Sequence, residues 1–192
     1  MCPHNEHVCP PWLSFMLTNV FRRMFHNPRK ILDRFVKSGD IALDVGCGPG
    51  YFTIPMAEMV GERGLVIAAD INQGMLDRVK RRAEKAGVLT RIRLQLSEKN
   101  QLRIGQRVDF ALAFWMAHEV RDLERFFAEI QGSLKSGAVF LLIEPKIHVT
   151  EKSFGEIVAT AERAGLKQGG EESIRLSRAV IFRNSQKNAE IK

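Results

Sequence analysis

The sequence predicts an α/β protein whose sheet is mainly parallel. Short apolar runs, such as those over 41–45 and 108–114, have the length and composition of buried strands. Segments with apolar residues at helical spacing lie between them, and this alternation is typical of a parallel sheet covered by helices. The chain has 192 residues, 45% of them hydrophobic, which is enough for one domain with a sizeable core.

Local signals mark where several of these elements begin and end. Pro28 suits the first turn of a helix, Asp122 is placed to cap another, and Gly165 is a stop signal after the last one. In chain order the predicted elements are helix 12–25, helix 27–37, strand 41–45, helix 51–60, strand 65–69, helix 75–86, strand 91–96, strand 108–114, helix 122–134, strand 138–143, helix 153–164 and a closing antiparallel pair, 166–170 and 174–183.

The composition limits where in the cell the protein can be located and how its domains can be organised. The net charge of +7 permits an anionic partner but does not require one. No apolar run is long enough to span a bilayer, no signal peptide is recognisable, and three cysteines are too few for a disulfide framework. We therefore expect a cytoplasmic protein in which residues 1–37 form a lid, 38–184 the main domain and 185–192 a loose tail.

The rest of the chain is organised around residues 43–52, where a strand breaks into glycines and a helix follows. Glycines at alternate positions, 46, 48 and 50, let the backbone approach a ligand closely, and the helix N-terminus adds N–H donors. Asp70 ends the second strand 20 residues beyond Gly50, where a carboxylate can accept hydrogen bonds from both hydroxyls of a ribose. This pattern indicates a ligand that contains adenosine.

The spacing of the glycines and the charge beside them narrow the choice of ligand. The order Gly-Cys-Gly-Pro-Gly differs from the Gly-x-Gly-x-x-Gly of Rossmann dehydrogenases, and no Gly-Lys-Ser/Thr follows as in a phosphate-binding loop. Asp44 lies in the strand just before the loop. A carboxylate there suits an amino group or a sulfonium better than a pyrophosphate.

At these residues the sequence resembles the class I S-adenosylmethionine-dependent methyltransferases. Leu43 to Gly50 is similar to their motif I, residues 108–111 to the motif of their fourth strand, and residues 134–138 to the turn before their fifth. The resemblance covers about residues 30–183 and is closest to the type 11 branch, which includes ubiquinone- and menaquinone-biosynthesis methyltransferases. It implies a Rossmann-like fold with a mainly parallel seven-stranded sheet, helices on both faces and an antiparallel last strand.

The resemblance also implies the cofactor S-adenosylmethionine, with S-adenosylhomocysteine as the product. It assigns Asp44 to the ammonium group, Asp70 to the ribose, and Ile71 and Met75 to the adenine. Either Ser97 or Glu98 would read the adenine amino group, and Phe114 would face the methionine or the methyl group. The cofactor-binding residues implied in this way are Asp44, Gly46, Cys47, Gly48, Gly50, Asp70, Ile71, Met75, Ser97, Glu98 and Phe114.

Two residues after the fourth strand are candidates for catalysis. His118 is placed to act as a base that takes a proton from the methyl acceptor, although it could instead pack or bond a loop carbonyl. Glu119 is a second candidate, and its alternative role is to cap the next helix. Glu144, at the end of the fifth strand, points to the same edge, and His148 is a weaker candidate.

The acceptor and its partners are less well defined by the sequence. We expect a small, apolar or aromatic acceptor held by residues that include Trp12, Phe15, Phe114, Trp115 and Met116. One alternative is an RNA methyltransferase whose basic faces track phosphates, on the third helix (Arg78, Lys80, Arg81, Arg82 and Lys85) or near the N-terminus (Arg22, Arg23, Arg29 and Lys30). Another is a binding protein that has kept only the cofactor pocket. The sequence does not indicate an oligomeric state.

The N-terminal residues allow several interpretations. Four ligand-type residues, Cys2, His4, His7 and Cys9, match no zinc-finger spacing, so we expect no metal. The segment is then a frayed terminus or a strap that orders over the active site. The predicted helix 12–25 either packs on the domain, covers a pocket or lies on a membrane.

Overall fold

The computed structural model of the chain describes residues 26–98 and 101–184. The strands in these ranges are β1 (Ile41–Val45), β2 (Leu65–Asp70), β3 (Ile92–Leu96), β4 (Val108–Phe114), β5 (Leu134–Pro145), β6 (Lys167–Glu171) and β7 (Ser177–Arg183). The α-helices are α1 (Pro28–Leu32), α2 (Thr53–Val60), α3 (Gln73–Ala86), α4 (Leu123–Ser133) and α5 (Glu151–Arg163), and 3-10 helices lie at Leu89–Arg91 and Ala117–Glu119.

The seven strands form one sheet with the order β3-β2-β1-β4-β5-β7-β6. Strands β1 to β5 run parallel, and β7 lies between β5 and β6, antiparallel to both. The predicted α/β class, the mainly parallel seven-stranded sheet and the antiparallel last strand are therefore confirmed.

Side chains that alternate along the central strands divide the core into two layers. On one face, Ala42 of β1 belongs to a buried cluster that includes Leu32 and Val79, from helices on that side. On the other face, Leu43 belongs to a cluster that includes Phe127 and Ala161, from α4 and α5. Because helices cover both faces, the central strands are apolar along nearly their whole length.

The strand order reverses between β1 and β4, which lie side by side in the sheet. In open parallel sheets a ligand binds outside the carboxyl ends of the strands at such a point. The loop that follows Val45 and the segment that follows Phe114 both begin at this edge. The topology therefore brings the glycine loop and the His118 segment to one side of the molecule.

Two predicted elements have different bounds in the structure. The helix predicted over 27–37 ends at Leu32, because the chain turns there and the Phe35 ring stacks on Phe110 with 5.7 Å between ring centroids. The strand predicted to begin at residue 138 begins at Leu134, which pairs with Val108. The turn expected over 135–137 is thus an irregularity inside β5, where the register shifts and Gly137 has a φ of 74°.

Several predictions concern residues outside the described ranges. These are the helix over 12–25, the segment from Cys2 to Cys9 and the tail 185–192. The domain boundaries and the lid over 1–37 stay predictions. Within the described ranges, no helix has the length and apolar character needed to cross a bilayer.

Candidate functional site

The glycine loop between β1 and α2 is held against β2 by backbone hydrogen bonds. The N–H groups of Gly46 and Cys47 both donate to the carbonyl of Ala69, at 2.9 and 3.1 Å. Gly48 has a φ of 52°, and a Cβ placed on it would meet no atom within 4 Å. The loop therefore presents backbone without side chains to open space at this point, as the approach of a ligand requires.

Asp70 connects the ends of the first two strands. Its Oδ2 accepts a hydrogen bond from the Gly48 N–H, and its Oδ1 accepts one from the Asn72 N–H, each at 2.9 Å. Each carboxylate oxygen has a second lone pair, and the residue is only partly buried. Asp70 can therefore shape the loop and still accept hydrogen bonds from two ligand hydroxyls.

A second carboxylate lies beneath the loop. Asp44 is 3% exposed, and its Oδ2 accepts a hydrogen bond of 2.6 Å from the Thr53 hydroxyl at the start of α2. Burial raises the pKa of the neighbouring Cys47 thiol well above its usual range, and the charges of Asp44 and Asp70 raise it further. The loop is thus electronegative, which favours a cationic ligand and disfavours a pyrophosphate.

Apolar side chains stand beside Asp70 at the same edge. Ile71 is 59% exposed, and Leu96, which pairs with Asp70 at the end of β3, is 50% exposed. Met75 is half-buried in the first turn of α3. Exposed aliphatic groups on two neighbouring strand ends form a surface on which a flat ring can pack. The sequence analysis missed Leu96, although an apolar last residue on a strand beside the acidic one is a usable signal.

The two residues predicted to read the adenine have other partners in the structure. Ser97 is buried, and its hydroxyl donates to the carbonyl of Leu102 at 3.2 Å. Glu98 is exposed and forms an ion pair of 2.7 Å with Arg103. Their assignment to the adenine stays a prediction.

The residues that end β4 fill the space beside the glycine loop. The Phe114 ring is 3% exposed and packs on Phe52 with 4.5 Å between centroids. Trp115 has a φ of 56°, unusual for a bulky residue, and its indole N–H donates to the Ser177 hydroxyl at 3.0 Å. Met116 touches the loop directly, since a Cβ on Gly46 would lie only 3.0 Å from the Met116 Cγ.

The structure pairs His118 with Glu144, a contact that the sequence analysis did not predict. The Glu144 carboxylate is fully buried at the end of β5, and its Oε2 is hydrogen-bonded to Nδ1 of His118. Its Oε1 accepts from the N–H groups of Met116 and Ala117, at 3.3 and 2.9 Å. Glu119 is 78% exposed, with Oε1 3.9 Å from Nε2 of His118, and Asp122 rather than Glu119 caps α4.

A surface depression of about 500 Å³ opens beside this pair, between the Ala117–Glu119 turn and α5. Its lining includes the His118 and His148 rings, which are 6.2 Å apart and nearly parallel. Val149 and Ile157 supply an apolar wall, and Glu156 supplies a carboxylate. The volume is in the range of pockets that hold small ligands.

Part of the chain matches a known protein family. Residues 42–137, half of the chain, match the family described as "Methyltransferase domain". The chain belongs to this methyltransferase family. The match runs from β1 to the turn inside β5 and so includes the glycine loop, Asp70 and His118.

Relatives of the chain include enzymes named for quinone substrates. Demethylmenaquinone methyltransferase of Lactobacillus johnsonii is 32% identical over 124 residues, which are 64% of this chain and 49% of that protein. The 2-phytyl-1,4-naphtoquinone methyltransferase of Nostoc punctiforme is 26% identical and aligns over 89% of this chain and 82% of its own. The chain spans about half the length of the demethylmenaquinone methyltransferases it matches.

The fold also matches solved structures. A SAM-dependent methyltransferase from Aquifex aeolicus superposes with a TM-score of 0.74 at 27% identity, covering 84% of this chain and 91% of that one. The predicted Rossmann-like methyltransferase fold and the resemblance to quinone-biosynthesis methyltransferases are therefore confirmed.

Native Cys47 should react slowly with alkylating reagents. In a Cys2→Ser/Cys9→Ser variant, Cys47 is the remaining thiol. We expect iodoacetamide to label it at pH 8 at least about tenfold more slowly in the folded chain than in the urea-unfolded chain. The reason is that burial limits access to the thiol and the raised pKa lowers the fraction of thiolate. Mass spectrometry measures the rates, and a small free thiol corrects for the effect of urea on the reagent. Equal rates in the two states would contradict the electronegative, packed environment described for this residue.

Proposed function

We propose that the chain is an S-adenosylmethionine-dependent methyltransferase and that its acceptor is a small apolar or aromatic molecule. The observation that carries the proposal is the pair of carboxylates on the glycine loop, Asp44 beneath it and Asp70 beside it. A loop of this charge suits a cofactor that carries an ammonium and a sulfonium. The open space before Gly48 and the apolar surface of Ile71 and Leu96 fit the rest of such a molecule.

The roles of the individual residues follow from their positions. We assign Asp70 to the ribose hydroxyls, Asp44 to the ammonium end, and Ile71 with Met75 to the adenine. The backbone of Gly46, Cys47, Gly48 and Gly50 lines the cofactor between them. We keep Phe114 on the side of the methionine or the methyl group, where its buried ring packs on Phe52.

For the methyl-transfer step the protein mainly has to position the two reactants. S-Adenosylmethionine supplies a methyl group on a cationic sulfur, so that the acceptor atom can bond to the methyl carbon as the carbon–sulfur bond breaks and its electron pair stays on sulfur. The site must hold the acceptor in line and exclude water. An acceptor that must also lose a proton needs a base, and we assign that role to His118, with Glu119 as the exposed carboxylate beside it.

Two observations support an aromatic acceptor. The relatives named above act, by their names, on naphthoquinone-type molecules. In this chain Trp115 lies half-buried at the end of β4, and Leu123, Val149 and Ile157 supply the apolar part of the depression beside His118. A cytoplasmic location and a small molecule rather than nucleic acid as the partner belong to the same proposal.

Loss of the Asp70 carboxylate charge should weaken cofactor binding. We expect the affinity of Asp70→Asn for S-adenosylmethionine and S-adenosylhomocysteine to fall about 10- to 100-fold, because charge-assisted hydrogen bonds to the ribose are lost. Isothermal titration calorimetry measures both, and Asp77→Asn on the exposed side of α3 is the matched control. No heat and no thermal shift of the wild-type chain with either compound would overturn the proposed function.

Transfer to a reduced naphthoquinone should depend on His118. With methyl-labelled S-adenosylmethionine and 1,4-naphthohydroquinones as acceptors, we expect His118→Gln to lower the transfer rate about 10²- to 10⁴-fold while cofactor affinity is unchanged. His148→Gln, which removes the neighbouring imidazole, should lower it much less. Wild-type protein that binds the cofactor but labels total RNA instead of any hydroquinone would overturn the assignment of the acceptor.

A further inference from the structure

The contact between Glu144 and His118 is the feature of the site that family membership leaves unexplained. Glu144 is a carboxylate with 0% exposure at the end of an apolar strand, and a buried ionised group requires partners. It has three: the N–H groups of Met116 and Ala117 on Oε1, and the imidazole of His118 on Oε2. An isolated packing role would be served better by an apolar residue of the same size.

The two backbone donors favour an ionised Glu144. Both N–H groups donate to the same oxygen, Oε1, which therefore acts only as an acceptor. Hydrogen bonds from N–H groups stabilise the ionised form of a carboxyl group. An ionised Glu144 can only accept from His118, and this requires a proton on Nδ1 of the imidazole.

A proton fixed on Nδ1 determines the chemistry of the rest of the ring. In the neutral imidazole one nitrogen is a donor and the other an acceptor, so protonation of Nδ1 leaves the lone pair on Nε2. The His118 side chain is 25% exposed, although the residue as a whole is exposed, and the ring lines the depression beside α5. A basic nitrogen in this place suits an acceptor with a phenolic or hydroquinone hydroxyl, whose proton it would receive.

We propose that Glu144 is a positioning residue that holds neutral His118 as the Nδ1–H tautomer, so that Nε2 is the atom that accepts the proton of the methyl acceptor. This inference rests on the proposed function for its catalytic meaning. The proton leaves the acceptor hydroxyl and arrives on Nε2, and the buried carboxylate offsets the charge of the resulting imidazolium. The arrangement needs no further reactant.

Other ionisable groups lie near the His118 ring and could also influence its protonation. Glu119 lies on the same turn, with Oε1 3.9 Å from Nε2. His148 lies 6.2 Å away between ring centroids, and Glu156 of α5 lines the same depression. Arg178 of β7 is directed to the nearby backbone, where its Nη1 donates to the Val149 carbonyl at 3.0 Å. Glu144 differs from all of them in its burial and in its direct hydrogen bond to Nδ1.

Nitrogen NMR of the ¹⁵N-labelled full chain tests the tautomer without cofactor or acceptor. The chain has five histidines, and a His118→Gln spectrum identifies the resonances of His118. In wild type, at a pH where the ring is neutral, we expect a protonated Nδ1 and an unprotonated Nε2. An unprotonated Nδ1 and a protonated Nε2 in the wild-type chain would overturn the proposal.

The variant Glu144→Gln should reverse this pattern. Its amide oxygen can still accept from Met116 and Ala117, while its NH₂ group donates to Nδ1 and moves the ring proton to Nε2. The midpoint of the His118 titration should fall, because an opposite charge that favours the imidazolium is removed. An unchanged tautomer in folded Glu144→Gln would contradict the proposal.

The exposed neighbour provides the matched control. Glu119→Gln makes the same chemical change 3.9 Å from Nε2, and we expect it to leave the tautomer as in wild type and to shift the titration less. Reversal of the tautomer by Glu119→Gln would overturn the role given to Glu144. Calorimetry with S-adenosylmethionine separates the two proposals. Failure of cofactor binding overturns the function and the catalytic meaning of the tautomer but not the tautomer itself, whereas a wrong tautomer overturns only this inference.

Discussion

The hydrogen bonds that Asp70 accepts from Gly48 and Asn72 are the interaction on which the site depends. They join the loop after β1 to the start of α3. The hydrogen bond from the Gly48 N–H to Asp70 adds to the backbone hydrogen bonds that hold Gly46 and Cys47 against β2, and it fixes the residue that faces open space. The Asp70 carboxylate then supplies half of the negative charge that distinguishes this loop from one that binds phosphate.

We propose different tasks for the two halves of this sheet edge. The side formed by β1, β2 and β3 carries the acidic loop and the exposed Ile71 and Leu96, which suit an adenosyl group. The side formed by β4 and β5 carries the Glu144–His118 pair, which suits proton transfer from an acceptor. Met116 lies at the boundary, since it packs on Gly46 and also donates a backbone hydrogen bond to Glu144.

The fold and the contact of the glycine loop with Asp70 could be predicted from the sequence because their signals are local. Strand length, the glycines at alternate positions and the acid that ends the second strand are each contained within a few residues. The predicted bounds of helices and strands were wrong where tertiary packing determines them. The first helix, for example, ends at Leu32, and Phe35 beyond it stacks on Phe110. The pairing of His118 with Glu144 joins residues 26 positions apart through the adjacency of β4 and β5, and no short pattern records that contact.

The central claim is that negative charge at the glycine loop selects a cationic adenosyl cofactor. The most direct measurement is a calorimetric comparison of S-adenosylmethionine with NAD and ATP, which share its adenosine but carry phosphates. We predict measurable binding of S-adenosylmethionine and at least about 100-fold weaker binding of the two phosphate-bearing compounds, because Asp44 and Asp70 repel them. Equal or tighter binding of NAD or ATP would contradict the account.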